Sequence, residues 1–289
     1  MLKLKNIFRR LFDFALYGNV FIALCALMSL LSTVVLFSSF VDENDVKLGL
    51  FVGAATFFIY NIHKPITYFL RKQLVDNQRF RRAETFRGPL SILTILAGFY
   101  AVYSFFYLKL NSQLLLILMA FLALGYVLPI LGRGRRLRDL AHLKIFLIAT
   151  VWAGMTVGLP YLELKNSTTN TAFWQLFIER ACFIFALCIA FDIRDMDWDA
   201  RANVKTIPLS MGVKNAKIVG ILAIITSILM VLCLKNNAIY SESLSVKLVV
   251  VYLMALLILI KTDKSRSDYF FYGVVDGLIL VLSLVIIFG

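Results

Sequence analysis

The chain has 289 residues, 61% of them hydrophobic, and a mean hydropathy of +0.84. Soluble domains are roughly 45–50% apolar, so this composition excludes an ordinary soluble protein and predicts a polytopic helical membrane protein. Basic loops that face anionic headgroups explain the net charge of +13, and we expect no nucleic-acid partner. The cysteines lie in apolar segments and are expected to be packing residues. They are Cys25, Cys182, Cys188 and Cys233.

Nine apolar segments follow one another along the chain, each near the roughly 20 residues that cross a bilayer. The first is too long for the core of a signal peptide and has no clear small-residue cleavage site. A basic amphipathic stretch, residues 1–10, precedes it. We therefore expect one all-α membrane domain over residues 1–289. The segments are 18–40, 46–62, 90–108, 113–131, 144–162, 172–191, 214–234, 246–261 and 268–288.

The positive charges predict the orientation of these segments. With the N-terminus in the cytoplasm, most of the 30 Lys and Arg residues fall on the inner side. This asymmetry favours a cytoplasmic N-terminus and an outer C-terminus. The long inner loops, 63–89 and 192–213, are expected to form caps over a cytoplasmic working face. The basic residues on the outer side are Lys47, Lys109, Lys165, Arg180, Lys235 and Lys247.

The sixth segment is followed by aspartates at positions 192, 195, 197 and 199. If the helix continues, Asp192, Asp195 and Asp199 fall within about 60° of one another, and Asp197 points elsewhere. Three carboxylates on one stripe repel each other unless a cation joins them. Oxygen ligands at this density suit Mg²⁺ with a diphosphate as co-ligand. The alternative is a solvated helix end, whose aspartates pair with nearby basic residues.

This pattern, followed by Lys205-Thr206-Ile207-Pro208 and Gly212, resembles the second aspartate-rich motif of the UbiA-type intramembrane prenyltransferases, especially the menaquinone-branch members. The resemblance implies nine helices around a lipid-open cavity with cytoplasmic cap loops. It also implies that two aspartate motifs hold Mg²⁺ and an isoprenoid diphosphate. On this basis Asp192, Asp195 and Asp199 are assigned as catalytic Mg²⁺ ligands, and Lys205 as a diphosphate contact.

The first motif of that family reads Asn-Asp-x-x-Asp-x-x-x-Asp and follows the second helix. This chain has NIHKPITYF at residues 61–69. The asparagine matches Asn61, which the resemblance assigns to the diphosphate site. The aspartate positions hold Ile62, Pro65 and Phe69, none of which offers a carboxylate to a metal. The usual second Mg²⁺ position is therefore missing.

The residues around the degenerate motif are cationic, and three hypotheses remain open for them. Lys64 and Arg71 contact the diphosphate directly, or they pair with the aspartates as a structural lock, or they belong to a basic inner loop. Pro65 leaves the helical phase open, so these residues are not assigned to one face. Tyr126 and Arg133 resemble cavity or phosphate residues after the family's fourth helix. An aromatic belt and a positive loop explain that second pair equally well.

The predicted function is Mg²⁺-dependent transfer of a prenyl group from an isoprenoid diphosphate to a lipophilic acceptor, such as an aromatic or quinone-precursor ring. The degenerate first motif keeps open an alternative, a non-catalytic protein that binds an isoprenoid lipid. A transporter is disfavoured, because the acids cluster at one end of the bundle rather than at mid-membrane. The expected location is the bacterial inner membrane, with membrane lipid around the bundle and the active face in the cytoplasm.

Overall fold

The computed structural model describes the backbone of residues 2–38, 40–70, 85–128, 137, 140, 142–164 and 170–289, and their side chains except at 2–6, 63–70 and 127. The regular secondary structure of these residues is helical throughout. The first five helices are α1 (Leu2–Tyr17), α2 (Val20–Ser38), α3 (Glu43–Leu70), α4 (Arg87–Phe105) and α5 (Leu110–Val127). The others are α6 (Leu143–Ala153), α7 (Leu159–Glu163), α8 (Asn170–Arg201), α9 (Ile207–Asn236), α10 (Glu242–Ile260) and α11 (Gly277–Phe288).

Seven helical stretches in the described residues are long and apolar enough to cross a membrane. Six contain helices α2, α3, α4, α9, α10 and α11, and the seventh joins α6 to α7. The other two predicted spans coincide with α5, which is short, and with α8, whose C-terminal part is highly charged. The prediction of an all-α integral membrane protein is confirmed. The count of nine spans, the single domain and the orientation stay predictions.

Helix α4 illustrates why the bundle requires lipid around it. Leu90 is its one buried residue, whereas large apolar side chains such as Phe99, Val102 and Tyr103 are more than half exposed. An exposed apolar surface of this kind is costly in water and favourable in a hydrocarbon environment. The helix therefore lies at the periphery of the bundle and presents its surface to lipid.

Helix α8 is a central element of the packing. It lies against α6 on one side and α9 on the other, while α2 packs against both α3 and α11. A close approach at Gly220 lets α9 meet its neighbours, because a Cβ there would lie 2.7 Å from Leu259 Cδ2 and 3.6 Å from Ile189 Cβ. The C-terminal end of α8, where the aspartates lie, meets the first turn of α6.

Several helices depart from regular geometry close to this end or to the centre of the bundle. A π-helical stretch, Gly154–Gly158, joins α6 to α7, and another, Phe270–Val275, precedes α11. Gly212 interrupts α9 with φ = 80°, a value that favours glycine, so a short helical turn precedes the main part of α9. The predicted cap loops, 63–89 and 192–213, both begin as helix, because α3 extends to Leu70 and α8 extends to Arg201.

Helix α1 matches the predicted amphipathic lead-in. Its apolar side chains Ile7, Phe8, Leu11 and Phe12 are all at least half exposed. Its C-terminal part is held against the bundle, where the Tyr269 hydroxyl donates to Asp13 Oδ1 over 2.6 Å. An exposed apolar stripe on a basic helix is typical of a helix that lies in the membrane interface.

Candidate functional site

Two of the three predicted aspartates share one lysine. Lys144 Nζ, from the first turn of α6, lies 2.7 Å from Asp192 Oδ1 and 3.0 Å from Asp199 Oδ2. The side chains of Lys144, Asp192 and Asp199 are 9%, 2% and 0% exposed. Buried carboxylates require a counter-charge, and here one ammonium group provides it for both. The sequence pattern did not predict this pairing of Lys144.

Backbone contacts between two loops position this lysine. The His142 amide, in a left-handed conformation with φ = 61°, donates to the Lys205 carbonyl over 2.9 Å. The Val204 amide donates to the Asp199 carbonyl over 2.9 Å. The segment that follows α8 therefore folds back onto the helix end and holds the start of α6 beside it. Lys205 contributes its carbonyl to this arrangement, and its side chain is exposed.

The third aspartate, Asp195, has a different partner. Arg194 donates to both of its oxygens, Nε to Oδ1 over 2.9 Å and Nη2 to Oδ2 over 3.0 Å. The guanidinium carbon of Arg194 also lies 4.8 Å from the ring centroid of Phe191 and about 5 Å from those of Phe271 and Tyr272. This aromatic surround holds the arginine side chain in place, which in turn fixes the orientation of the Asp195 carboxylate.

Asp197 lies apart from the cluster, as the helical phase predicted. Its carboxylate is 74% exposed and lies 3.5 Å from Lys264 Nζ. The other three aspartates do not share one cation, since Lys144 joins Asp192 to Asp199 while Asp195 pairs with Arg194.

The predicted Mg²⁺ site can be tested against these contacts. Three carboxylates carry three negative charges, and Lys144 and Arg194 supply two positive charges within hydrogen-bond distance. In the part of the chain that the structure describes, no group of three or more His, Cys, Asp and Glu side chains is arranged to hold a metal ion. As arranged, the aspartates do not form a shared Mg²⁺ ligand set. Their assignment as ligands stays a prediction.

Asn61 has a structural role in this arrangement. Its Nδ2 donates to the Gly18 and Phe57 carbonyls over 3.1 and 3.0 Å, and its Oδ1 accepts from Asn19 Nδ2 over 3.0 Å. All the hydrogen-bonding groups of the amide are thus used, and they hold the connection between α1 and α2 against α3. Its predicted diphosphate contact stays a prediction.

The other predicted diphosphate residues are described only in part. Tyr126 is half-buried at the end of α5. Lys64 lies in the last turns of α3, with its side chain outside the described residues. Arg71 and Arg133 also lie outside the described residues. Of the predicted site, the structure brings together Asp192, Asp199 and the backbone of Lys205.

A second buried polar cluster lies within α8 and was missed from sequence. Glu179 accepts from Arg180 Nη1 over 3.0 and 3.1 Å, from the Tyr240 hydroxyl over 2.9 Å and from the Tyr252 hydroxyl. Glu179 and Arg180 are 0% and 2% exposed. The sequence analysis assigns Arg180 to the outer side, and the structure places it ten positions into α8, where it pairs within the bundle and not in a connecting loop. An adjacent acid and base inside an apolar segment is the signal that could have revealed it.

Solved structures of UbiA homologues have a similar fold to this chain. The chain is similar to a UbiA homologue from Archaeoglobus fulgidus described as bound to GPP and Mg²⁺, with 12% identity over 95% of this chain and 99% of that one, and a TM-score of 0.67. An apo UbiA homologue from Aeropyrum pernix K1 gives 12% identity, coverage of 92% and 94%, and a TM-score of 0.63. A digeranylgeranylglyceryl phosphate synthase gives 12% identity over 97% of this chain and 98% of that one, and a TM-score of 0.62. No curated protein matches the chain.

The sequence profile of a family matches most of the chain. It is the UbiA prenyltransferase family, and the match covers residues 73–280. The matched region begins after the degenerate first motif at residues 61–69 and includes the aspartates of α8. This extent agrees with the sequence analysis, in which the second motif carried the resemblance and the first departed from it. The chain belongs to the UbiA prenyltransferase family.

Proposed function

We propose that this membrane protein transfers a prenyl group from an isoprenoid diphosphate to a lipophilic acceptor, with an aromatic or quinone-precursor ring as the expected acceptor class. The observation that carries the proposal is family membership over residues 73–280, a region that includes the motif residues Asp192, Asp195 and Asp199. The burial of Asp192 and Asp199 at one end of an apolar bundle supports it further, because a lipid tail and a charged headgroup would meet there.

The chemistry of such a transfer explains why charged residues matter more than a strong base. The allylic C–O bond breaks and its electron pair leaves with the diphosphate. The allylic carbon then bonds to an electron-rich ring carbon, which afterwards loses its proton. Negative charge therefore develops on the departing diphosphate, and preorganised cations stabilise it. The proposed diphosphate contacts are Lys205, whose side chain is exposed beside the cluster, with Asn61, Lys64, Arg71, Tyr126 and Arg133.

Mg²⁺ is the cofactor expected from the resemblance. The A. fulgidus homologue, described with GPP and Mg²⁺ and with DMAPP and Mg²⁺, supports a divalent metal for the fold. A bound Mg²⁺ would neutralise diphosphate charge. In this chain the ion pairs of Lys144 and Arg194 occupy the carboxylates that would hold it. The stabilisation proposed here is therefore assigned to the cationic side chains.

The charges of the two motifs favour a second candidate function, which is binding of an isoprenoid lipid without catalysis. Asp192 and Asp199 are both paired with Lys144, and residues 62, 65 and 69 offer no carboxylate. A site with this charge balance suits a neutral prenyl lipid as well as a diphosphate. Turnover separates the two functions, since both predict binding of an isoprenoid.

The test is a panel of prenyl diphosphates of different chain length, incubated with the purified protein and membrane-extracted acceptors and analysed by mass spectrometry. We expect a prenylated acceptor and released diphosphate, both abolished by Asp195→Asn. Asp197→Asn is the matched control, because it removes one carboxylate from the same helix end at an exposed position. Isoprenoid binding without any product across the panel would reject the transferase and support the binder.

The proposed location is the bacterial inner membrane, with the Asp192 end of the bundle in the cytoplasm. The support is the excess of Lys and Arg in the predicted inner loops. Alkaline phosphatase fused after Gly289 tests the orientation. An active fusion is expected for an outer C-terminus, and an inactive but intact fusion would reverse the assignment.

A further inference from the structure

One lysine lies between two buried aspartates, in the arrangement of charges that a metal ion bound by two carboxylates would have. Lys144 Nζ lies within 3.0 Å of an oxygen from each of Asp192 and Asp199. A cation that joins these two carboxylates would occupy the same space between them. The ammonium group and a metal ion therefore compete for one position.

The competition is unequal because the lysine is part of the chain. Lys144 is itself buried at the first turn of α6, a helix that packs along α8. The backbone hydrogen bond from His142 to Lys205 holds the N-cap residue of α6 in place. To release the aspartates, the ammonium would have to leave a buried pair and find another partner, which is costly for a buried charge. If it stayed, a divalent ion beside it would meet a like charge at short range.

The third carboxylate does not restore a metal site. Asp195 is bound bidentately by Arg194, whose guanidinium lies among three aromatic rings. An Arg–carboxylate fork of this kind is among the stronger side-chain pairs. The first motif offers no carboxylate in replacement, since residues 62, 65 and 69 are Ile, Pro and Phe.

We infer that Lys144 is a built-in cation that takes the place of a divalent metal between Asp192 and Asp199, so that this motif does not bind Mg²⁺ or Mn²⁺. The inference goes beyond the proposed function, because it holds for a prenyltransferase and for a lipid-binding protein alike. For a prenyltransferase, it means that the charge of the departing diphosphate is met by side chains and that catalysis is independent of divalent metal at this motif.

Mn²⁺ binding tests the inference without requiring turnover. The full-length protein in phosphatidylcholine nanodiscs is titrated with Mn²⁺ and followed by electron paramagnetic resonance, with and without inorganic diphosphate. We expect the binding curve of the wild type to be the same as that of Asp199→Asn, which removes one of the two carboxylates that Lys144 joins. Mn²⁺ binding by the wild type that is lost in Asp199→Asn would overturn the inference, because the two aspartates would then hold the metal.

Removing the lysine charge gives the complementary test. Lys144→Met leaves two buried carboxylates without their shared cation. We expect lower thermal stability without metal, recovery of stability with Mg²⁺, and an Mn²⁺ affinity raised about a hundredfold or more, since a like charge at close range has been removed. Lys144→Arg keeps the charge and is expected to gain no Mn²⁺ site. Lys214→Met, at an exposed position on α9, is the matched control.

The outcomes separate the inference from the proposed function. No gain of metal binding in a folded Lys144→Met variant would overturn the inference, whether or not the protein transfers prenyl groups. If Lys144→Met does not fold, the comparison of the wild type with Asp199→Asn decides by itself. Failure of the prenyl-diphosphate panel would reject the transferase and leave the Mn²⁺ result unaffected.

Discussion

Replacing Glu179 by alanine is expected to destabilise the bundle by about 3–5 kcal/mol, because it leaves Arg180 as a buried cation without a counter-charge. Glu179 is fully buried and Arg180 is 2% exposed. The carboxylate also accepts from the Tyr240 and Tyr252 hydroxyls, and the Glu179 carbonyl accepts from Ser227 Oγ over 3.0 Å. One side chain of α8 thus ties that helix to α10 and to the segment between α9 and α10.

The magnitude follows from what each substitution leaves behind. Alanine removes the counter-charge of Arg180 and the acceptor of two hydroxyls, and each interhelical hydrogen bond in a membrane is worth about 0.6 kcal/mol on average. The charge effect is therefore the larger one. Glu179→Gln keeps an acceptor oxygen and is expected to destabilise less than alanine. The double variant Glu179→Leu with Arg180→Leu removes both charges and is expected to recover most of the loss.

Unfolding by SDS in mixed micelles, followed through the fluorescence of the three tryptophans, measures these differences. The control is Glu242→Gln, which breaks the exposed pair of Glu242 with Lys235 at 2.8 Å and is expected to leave the midpoint nearly unchanged. If Glu179→Ala and Glu242→Gln shift the midpoint equally, the buried pair has no special role. A double variant that is less stable than Glu179→Ala would contradict the charge argument.

Three further substitutions test other parts of the fold and site. Asn61→Leu should lower stability by about 1–3 kcal/mol, because it leaves buried polar partners in the α1–α2 connection unsatisfied; an unchanged unfolding midpoint would contradict this. Gly220→Val should destabilise by about 1–3 kcal/mol through overpacking, since a Cβ there lies 2.7 Å from Leu259 Cδ2, and Gly220→Ala should cost less. Arg194→Met should remove the guanidinium that orients the Asp195 carboxylate and lower prenyl transfer while the protein stays folded, and retention of full activity would show that this orientation does not matter.

Local sequence patterns were sufficient for the fold class and the family. Apolar segments of spanning length and basic loops predicted a helical membrane protein, and the aspartate spacing carried the resemblance to the UbiA family that the match over residues 73–280 confirms. Spacing along one helix also predicted correctly that Asp197 points away. These features depend on residues close together in the chain, where helix geometry determines relative direction.

The partners of the aspartates depend on tertiary packing and could not be predicted in the same way. Lys144 is 55 residues from Asp199 in sequence, and no local pattern links the start of one apolar segment to the end of another. Arg194 was available as a neighbour, but sequence alone did not decide whether it would pair with Asp195, Asp192 or solvent. Its position among Phe191 and the aromatic residues near α11 decides this.

Lys144 and the degenerate first motif both reduce the net negative charge of the candidate site. Two aspartate motifs facing each other concentrate negative charge, which divalent cations and a diphosphate must balance. In this chain one motif has Ile62, Pro65 and Phe69 in place of its aspartates, and Lys144 joins two aspartates of the other. Both features lower the negative charge that would call for a metal. A cation covalently attached to α6 remains when the substrate leaves, so the aspartates would be compensated in every state of a catalytic or binding cycle. Divalent cations should accordingly bind weakly at this motif.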